Sequence, residues 1–285
     1  MDGRSASVFE RGQLCCHCLL LEDSHGLTLV DTGFGLRDVA SPRARLSSFF
    51  LHLLAPDFRE EMTAVRQIER MGFSARDVRN IVLTHLDFDH AGGLDDFPEA
   101  TVHLMRSERD EASRQKTWLD RQRFRPQQWS GQERWQTYKE SAGEPWYGFS
   151  SVRELRGLPP EILMVPLLGH TLGHAGIAVD TGSGGWLLMA GDAYFYRDEM
   201  DEYDPYCTPG LRLYQTLMEK DRRARLMNQR RLRRLKADFG KVVRIVSAHD
   251  PVEFEMAARR PAAVPAQPAD GMHSAMDAIA SARAR

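Results

Sequence analysis

The 285-residue sequence has few cysteines, no long apolar run and almost no net charge. Its 38 Lys and Arg residues against 40 Asp and Glu residues give a formal net charge of −2, which does not indicate a polyanionic partner such as nucleic acid. The longest apolar stretch, at about 14–21, is far shorter than the ~20 residues of a membrane-spanning helix, so no membrane partner is expected. The N-terminal residues also lack the apolar centre of a signal peptide. These absences predict a cytoplasmic protein.

The four cysteines do not have the spacing of a disulfide framework. Three of them lie in Cys15-Cys16-His17-Cys18, and the fourth is isolated at Cys207. A thiolate metal site here would require adjacent strand residues, which point to opposite faces, to converge on one ion. We therefore interpret the cysteines as small buried strand residues of a protein in a reducing compartment.

Hydrophobic periodicity predicts alternating strands and helices. Apolar residues at helical spacing in 59–71 predict a helix that ends at Gly72, and the β-branched run "NIVLT" predicts a buried strand that ends just before His85. A capping pair of Ser74 and Asp77 is expected between them. The remaining predicted elements are strands at 14–21, 27–30, 162–168, 177–179 and 186–190, a long helix at 211–238 and a last strand in "KVVRIVSAHD".

One catalytic domain at residues 1–260 is expected from the length and composition. Residues 105–158 differ in character: they are rich in Arg, Gln and Trp, and we predict a mainly helical insert that caps the active site. An aromatic packing layer or a dimer contact is the alternative role of this insert. The Ala/Pro-rich tail at 261–285 is predicted to be disordered.

Seven residues have side chains and an order along the sequence that predict a metal centre with two ions. They are His85, Asp87, Asp89, His90, His170, Asp192 and His249. Imidazoles and carboxylates without thiolates suit zinc, iron or manganese in a reactive rather than a structural site. Each residue follows a predicted strand, and strand ends converge at one edge of an α/β sheet.

The segments "THLDFDHAGG", "LLGHTLGH", "MAGDAYF" and "VSAHDP" carry a family resemblance. In their order and spacing the chain resembles the metallo-β-lactamase-fold metallohydrolases, and among these the lactonase-like branch. The resemblance implies an α/β fold built as a four-layer αββα sandwich, with two mixed β-sheets and outer helices. It also implies a dinuclear site at one edge of the sheets, with zinc as the usual metal.

The resemblance further implies a role for each matching residue. His85 and His170 correspond to ligands of the first metal, Asp89, His90 and His249 to ligands of the second, Asp192 to the bridging ligand, and Asp31 to a residue that orients ligands. Asp87 departs from the family pattern, because it stands where the family has a histidine. A carboxylate there would favour iron or manganese over zinc, or else would be too short to bind and leave the first site weak or empty.

The expected chemistry is hydrolysis of a small ester, in particular a lactone. Two metals about 3.5 to 4 Å apart share a water whose pKa falls to about 7, and the resulting hydroxide attacks the carbonyl. Asp89 is a candidate for moving a proton, and the resemblance implies that Asp192 binds both metals. Tyr194 and Tyr196 are candidate phenol donors if the strand continues past Asp192; the family's tyrosine position is Phe195 in this chain.

Two other functions remain open at this point. One is an iron-dependent redox enzyme acting on oxygen or sulfur species, for which Asp87 is the reason. The other is a non-catalytic metal-binding protein. We expect a small-molecule substrate, a monomer or homodimer, and no nucleic-acid partner, because the arginines at 222–234 suit a solvated helix face. His174 is expected to hydrogen-bond its loop, and neither His52 nor His103 lies in a motif.

Overall fold

The computed structural model describes residues 12–139, 143–182 and 184–258, and the predicted tail at 261–285 lies outside the described residues. The strands in these ranges are β1 (Leu19–Asp23), β2 (Gly26–Val30), β3 (Val78–Val82), β4 (Thr101–Met105), β5 (Trp135–Tyr138), β6 (Glu144–Trp146), β7 (Phe149–Glu154), β8 (Ile162–Pro166), β9 (Ala175–Asp180), β10 (Trp186–Met189) and β11 (Val243–Val246). The helices are α1 (Leu36–Ala40), α2 (Pro42–Arg45), α3 (Ser48–Leu54), α4 (Ala64–Arg70), α5 (Arg106–Arg114), α6 (Trp118–Arg123), α7 (Pro209–Met218), α8 (Arg222–Phe239) and α9 (Pro251–Ala258). Within these ranges no helix is both long and apolar enough to span a bilayer.

The first sheet is mixed and has the strand order β1-β2-β3-β4-β5. β1 and β2 form an antiparallel hairpin, whereas β2, β3, β4 and β5 run parallel to one another. Neighbouring residues on a strand face opposite sides of the sheet. Leu29 and Ile81 therefore pack with Ile68 of α4 on the outer face, while Val30 and Val82 pack on the inner face.

The second sheet has the strand order β11-β10-β9-β8-β7-β6. Its strands are antiparallel except for β10 and β11, which are parallel. Leu188 on β10 faces α8, where Leu232 and Leu235 cover it. The next residue, Met189, faces the first sheet and joins the same apolar cluster as Val82. The order of layers is therefore helix, sheet, sheet, helix, and the predicted four-layer αββα sandwich is confirmed.

The segment at 105–158 is helical only in its first part. α5 and α6 lie there, but β5 extends the first sheet beside β4, and β7 pairs with β8 of the second sheet. The prediction of a mainly helical insert is wrong for this second part, because aromatic and β-branched residues such as Trp135, Tyr138 and Val152 favour half-buried strands. Trp129 and Trp135 pack against the core of the first sheet, and Trp146 packs against Trp186 of the second. These contacts favour the packing role for three of the four tryptophans of the insert, whereas Trp118 is 54% exposed.

The long helix predicted at 211–238 is two helices. α7 ends at Met218, and α8 begins at Arg222, where the Asp221 carboxylate accepts a hydrogen bond from Ala224 N at 2.9 Å. Between them, the backbone amides of Lys220 and Asp221 donate to Gly169 O. These tertiary hydrogen bonds interrupt a pattern that is helical on both sides.

Residues 12–18 precede β1 instead of forming part of it. Cys15 N donates to His249 O at 3.3 Å and His17 N donates to Ala248 O at 2.9 Å, so this segment lies along the chain that follows β11. The interpretation of the three neighbouring cysteines as buried strand residues is wrong, because Cys16 is exposed and Cys15 and Cys18 are half-buried. A pairing between chain segments so far apart leaves no periodic pattern in the sequence.

Candidate metal centre

The predicted metal-binding residues come together at one edge of the two sheets. His85 follows β3, His170 follows β8, Asp192 follows β10 and His249 follows β11. The strands before them are buried, and their regular hydrogen bonding holds the loops that follow. All seven side chains are brought into one cluster, although the sequence distances between them exceed 150 residues at the extremes.

Four donors surround what we call the first position: His85, Asp87, His170 and Asp192, whose ligand atoms all lie within 4.8 Å of one another. Asp87 Oδ2 is 3.0 Å from His170 Nε2 and 3.3 Å from His85 Nε2, and Asp192 Oδ2 is 3.3 Å from His170 Nε2. An ion bound tetrahedrally at about 2.0–2.1 Å places its donors roughly 3.3–3.4 Å apart. The side chains are therefore spaced as the ligands of one ion.

Three donors define the second position: His90, Asp192 and His249. His90 Nε2 and His249 Nε2 are 3.3 Å apart, and they lie 3.2 and 3.0 Å from Asp192 Oδ1. Asp89 flanks this set, with carboxylate oxygens 4.0 Å from His90 Nε2 and 3.7 Å from His249 Nε2. Its side chain is 13% exposed, more than those of the other donors.

Asp192 lies between the two positions. Its Oδ2 faces His85 and His170, while its Oδ1 faces His90 and His249. One carboxylate with an oxygen towards each donor set has the geometry of a bridging ligand.

Three of the four donor histidines are oriented by contacts at Nδ1, which leaves Nε2 directed into the centre. His90 Nδ1 lies 2.8 Å from Asp31 Oδ2, His249 Nδ1 lies 2.7 Å from Cys15 O, and His85 Nδ1 lies 2.9 Å from Thr84 Oγ1. Such outer contacts fix the tautomer and the direction of metal-binding histidines. His85 Nε2 is buried and has no hydrogen-bond partner among the described residues. A buried nitrogen that has no hydrogen-bond partner and faces other ligand atoms is suited to bind a cation.

Asp31 and His174 support this geometry from outside the donor set. Asp31 accepts hydrogen bonds from Thr84 N and Thr84 Oγ1, both at 2.8 Å, and so joins the end of β2 to the end of β3. His174 Nδ1 contacts Leu167 O at 2.9 Å, and its Nε2 accepts from Asp192 N at 2.9 Å. Both ring nitrogens of His174 are thus used within the loops, as expected for a structural histidine.

Electrostatics differ from one histidine to another. Burial lowers the pKa of His90, but the carboxylates of Asp192 and Asp31 outweigh burial and hold this pKa well above its usual value. The pKa of His85 is held well below its usual value, first by burial and then by the charge of His90. The centre is therefore a group of buried bases and acids whose charges depend on one another, as in many functional sites.

A family model described as the metallo-beta-lactamase superfamily matches residues 11–249. The chain belongs to this superfamily. A probable metallo-hydrolase of Mycobacterium tuberculosis is 40% identical over 245 residues, which are 86% of this chain and 77% of that protein. An N-acyl homoserine lactonase of Bacillus cereus is 25% identical over 189 residues, which are 66% of this chain and 68% of the lactonase.

A solved structure of an N-acyl homoserine lactone hydrolase, with the product N-hexanoyl-L-homoserine at its catalytic metal center, has the same fold. It aligns with a TM-score of 0.62 and 23% identity, over 87% of this chain and 85% of the other. The fold, the donor sets and the relatives together support a metal-dependent hydrolase of the metallo-beta-lactamase superfamily.

Arg123 is a residue of the centre that no sequence motif indicated. It is the last residue of α6 and its side chain is fully buried. Its Nε donates to Asp87 Oδ1 at 2.7 Å, its Nη2 donates to Asp87 Oδ2 at 2.5 Å, and Nη2 also lies 2.8 Å from His170 Nε2. Burial raises the pKa of Asp87, but the Arg123 guanidinium outweighs it and holds this pKa well below the usual range. Asp87 is thus an ionised member of a buried ion pair.

Cys16 is a second residue that the sequence did not indicate. Its Sγ lies within 4.8 Å of a carboxylate oxygen of Asp89 and a ring nitrogen of His249. Because Cys16 is exposed, it places a thiol at the solvent side of the second position. The run of cysteines was visible in the sequence, but its pairing with the segment after β11 was not.

Tyr194 and Tyr196 do not point into the centre, and their predicted catalytic role is wrong. β10 ends at Met189, and residues Gly191–Ala193 form a 3-10 turn, so the alternation assumed from a continuing strand is lost. Tyr194 is fully buried, and its hydroxyl donates to Glu253 Oε2 at 2.8 Å. The ring of Tyr196 packs under the guanidinium of Arg197.

Phe195 is the aromatic residue that contacts the centre, and Tyr214 packs beside it. The Phe195 ring stacks on the His249 ring at 5.0 Å, and Tyr214 of α7 packs edge-on against Phe195 at 5.6 Å. Burial, followed by the negative charges of Asp89 and Asp87, raises the pKa of the Tyr214 phenol well above its usual value. The phenol of Tyr214 is therefore protonated at neutral pH.

Proposed function

We propose that this chain is a dinuclear metallohydrolase that opens a lactone or a similar small ester. The observation on which this depends most is the Asp192 carboxylate, which turns one oxygen to each of two donor sets. The likeness to the Bacillus cereus lactonase supports the lactone class, because it extends over 66% of the chain.

The residues that would hold the metals are those of the two positions. His85, Asp87 and His170 would hold one ion and His90 and His249 the other, with Asp192 between them. Two divalent ions bound there would supply an activated water at neutral pH and polarise the ester carbonyl.

Other residues of the chain would orient the substrate and move protons. Asp89 is the carboxylate of the centre with the most contact with solvent, and burial raises its pKa, so it is suited to pass a proton to the leaving oxygen. Tyr214 would donate a hydrogen bond to the substrate carbonyl or the leaving group. Phe195 provides an apolar surface beside His249.

We propose zinc as the metal. The argument for iron or manganese depended on an extra negative charge at Asp87, and the guanidinium of Arg123 offsets that charge. This weakens the case for an iron-dependent redox enzyme. Lactone turnover together with two bound ions would distinguish an enzyme of this type from a non-catalytic metal-binding protein.

The test combines metal analysis with a substrate panel. Protein purified without added chelator is analysed by plasma mass spectrometry and assayed with lactones, thioesters and linear esters. We expect two zinc ions per chain and lactone opening that is lost in His90→Ala and kept in His25→Ala, a matched change at an exposed turn. Oxygen uptake with bound iron and no hydrolysis would contradict the proposal.

Tyr214→Phe tests the proposed donor. Loss of one hydrogen bond to the reacting oxygen is expected to lower kcat by about 10² or more, with the zinc content unchanged. Tyr194→Phe is the control, because the Tyr194 hydroxyl is bonded to Glu253 and should leave kcat within a few-fold. An equal loss in both variants would show that Tyr214 acts through the fold and not on the substrate.

A further inference from the structure

We propose that Asp87 and Arg123 form one charge-balanced ligand unit at the first position. In this unit Asp87 Oδ2 is the donor to the ion, and Arg123 is a positioning residue that holds the carboxylate and cancels its charge. The proposal depends on the metal centre of the proposed function and explains how a carboxylate can stand beside two histidines at a buried site.

The first argument is orientation. Arg123 binds both oxygens of Asp87 in a fork, with contacts of 2.7 and 2.5 Å. This arrangement fixes the carboxylate plane, so that Oδ2 stays 3.0 Å from His170 Nε2 and 3.3 Å from His85 Nε2. Aspartate is a short side chain, and the fork keeps its oxygen at the distance from the other donors that one ion requires.

The second argument is charge. Asp87 is 2% exposed and Arg123 is 0% exposed, so neither charge is solvated by water. A buried charge without a partner is strongly destabilising, whereas a paired charge is tolerated. Together the two side chains are neutral, as a single imidazole ligand is. Arg123 without Asp87 would leave an uncompensated cation beside the first ion, whereas Asp87 without Arg123 would lose the fork that holds its oxygen in place.

The third argument is that Arg123 is itself held in place. Thr117 caps the start of α6, and Phe124, the residue after the helix, forms an isolated β-bridge with Asp87. Nη1 of Arg123 donates to Met218 O at 2.6 Å, which joins α6 to the end of α7. The guanidinium is therefore positioned by two helices and is not a mobile surface group.

A competing arrangement must be distinguished. Because Nη2 also lies 2.8 Å from His170 Nε2, the guanidinium could take the place of the first ion and leave a centre with one metal. Counting bound ions separates the two arrangements, since the ligand unit predicts two ions and a resident guanidinium predicts one.

The experiment compares wild type with Asp87→His, Arg123→Met and the double variant Asp87→His/Arg123→Met. Each protein is stripped, dialysed against buffered zinc, and measured for zinc per chain and for Tm. We expect two ions in wild type and about one in each single variant, with zinc affinity at the first position lowered by about 10–100-fold. The double variant is expected to recover the second ion, because a neutral imidazole then faces an uncharged methionine.

Two further variants show whether charge is the cause. Asp87→His/Arg123→Lys restores a cation at position 123 that has no carboxylate partner. We therefore expect this variant to bind about one zinc ion, unlike Asp87→His/Arg123→Met. Arg45→Met removes another buried arginine, paired with Asp38 at 3.0 Å, and is expected to lower Tm with two zinc ions retained.

The proposal is overturned if the double variant binds no more zinc than Arg123→Met. It is also overturned if wild type binds one ion, as it would with a resident guanidinium, or if Arg45→Met loses as much zinc as Arg123→Met. Zinc binding is measured without substrate. A wild type with two ions but no lactone turnover would therefore contradict the proposed function, while rescue in the double variant would still support the ligand unit.

Discussion

The two positions of the centre use the same kinds of donor but differ in the residues behind them. At the first position the Asp87 carboxylate is paired with a fully buried arginine. At the second, the partly exposed Asp89 lies near His249, and Asp31 adds a further carboxylate behind His90. The surroundings of the second position are thus more anionic, and we expect it to bind a divalent cation more tightly.

This difference shows that a count of ligand types does not describe a metal site. Asp87 and Asp89 are the same residue type two positions apart in one loop, yet one is paired with a guanidinium and the other is partly exposed. The charge that an ion meets is set by the residues that contact its ligands as well as by the ligands.

The largest expected effect comes from removing what the two positions share. Asp192→Ala should lower the zinc content from two ions to fewer than one per chain, because both donor sets lose an oxygen. Lactone turnover should fall by more than the ~10–100-fold that outer contacts typically contribute. Zinc analysis with steady-state kinetics measures both. Retention of two ions would show that Asp192 does not bridge.

A smaller effect should separate the positions. His90→Ala should abolish the tighter of two zinc-binding steps, and His170→Ala the weaker, because the second position is the more anionic. Calorimetric titration of stripped protein with zinc resolves the steps. Loss of the same zinc-binding step in both variants would contradict the expected difference in affinity between the two positions.

An outer contact should affect one position more than the other. Asp31→Asn keeps the size of the side chain but removes the negative charge beside His90 Nδ1, at present 2.8 Å away. We expect zinc affinity at the second position to fall by about 10–100-fold and that at the first to change by no more than a few-fold. Equal weakening of both would mean that Asp31 supports the loop through Thr84 and not the charge of His90.

The smallest expected effect concerns Glu108, which supports the loops of the first position. It accepts hydrogen bonds from Leu86 N at 2.9 Å, from Gly173 N at 3.2 Å and from the Thr171 hydroxyl. Burial outweighs these bonds and raises the pKa of Glu108 to about 8. The folded state thus retains a proton that the unfolded state has lost, so this contribution to stability is full below pH 4.5 and is lost as the pH rises through about 8.

Glu108→Gln should remove this pH dependence. Relative to the variant, the free energy of unfolding of wild type should fall between pH 4.5 and 8, by on the order of 1 kcal/mol for each pH unit. Urea unfolding of stripped protein across this range measures the difference. Parallel pH profiles would show that Glu108 ionises normally in the folded chain.

Much of the fold was predictable because its signals are local. The helical spacing that ends at Gly72, the capping pair of Ser74 and Asp77, and the buried run of β3 all depend on neighbours within a few residues. The errors arose where distant segments decide the outcome. The strands β5 to β7 form because they extend existing sheets. The break between α7 and α8 forms because Gly169 O accepts hydrogen bonds from the backbone amides of Lys220 and Asp221, which lie between the two helices.

His103 shows the same limit of sequence-based prediction for a single residue. It is as buried as the donors of the centre, but both of its ring nitrogens have partners, Tyr138 at 2.8 Å and Asn80 at 3.1 Å. In the sequence, the only difference between His103 and the donor histidines is that His103 lies in no motif. Tertiary contacts supply the physical reason, since a histidine with both nitrogens bonded has no free lone pair for a metal.

The order of histidines and aspartates along the chain was sufficient to indicate the superfamily, the sandwich and the donor set, because strand ends of this fold must meet at one edge. It could not show the partner of Asp87, the position of Cys16, or which aromatic side chains face the centre. Those depend on Arg123, 36 residues away in the sequence, on a segment paired with residues more than 200 positions distant, and on a turn that ends β10 early. Burial and charge in such places are set by contacts across the fold, and only the tertiary structure determines them.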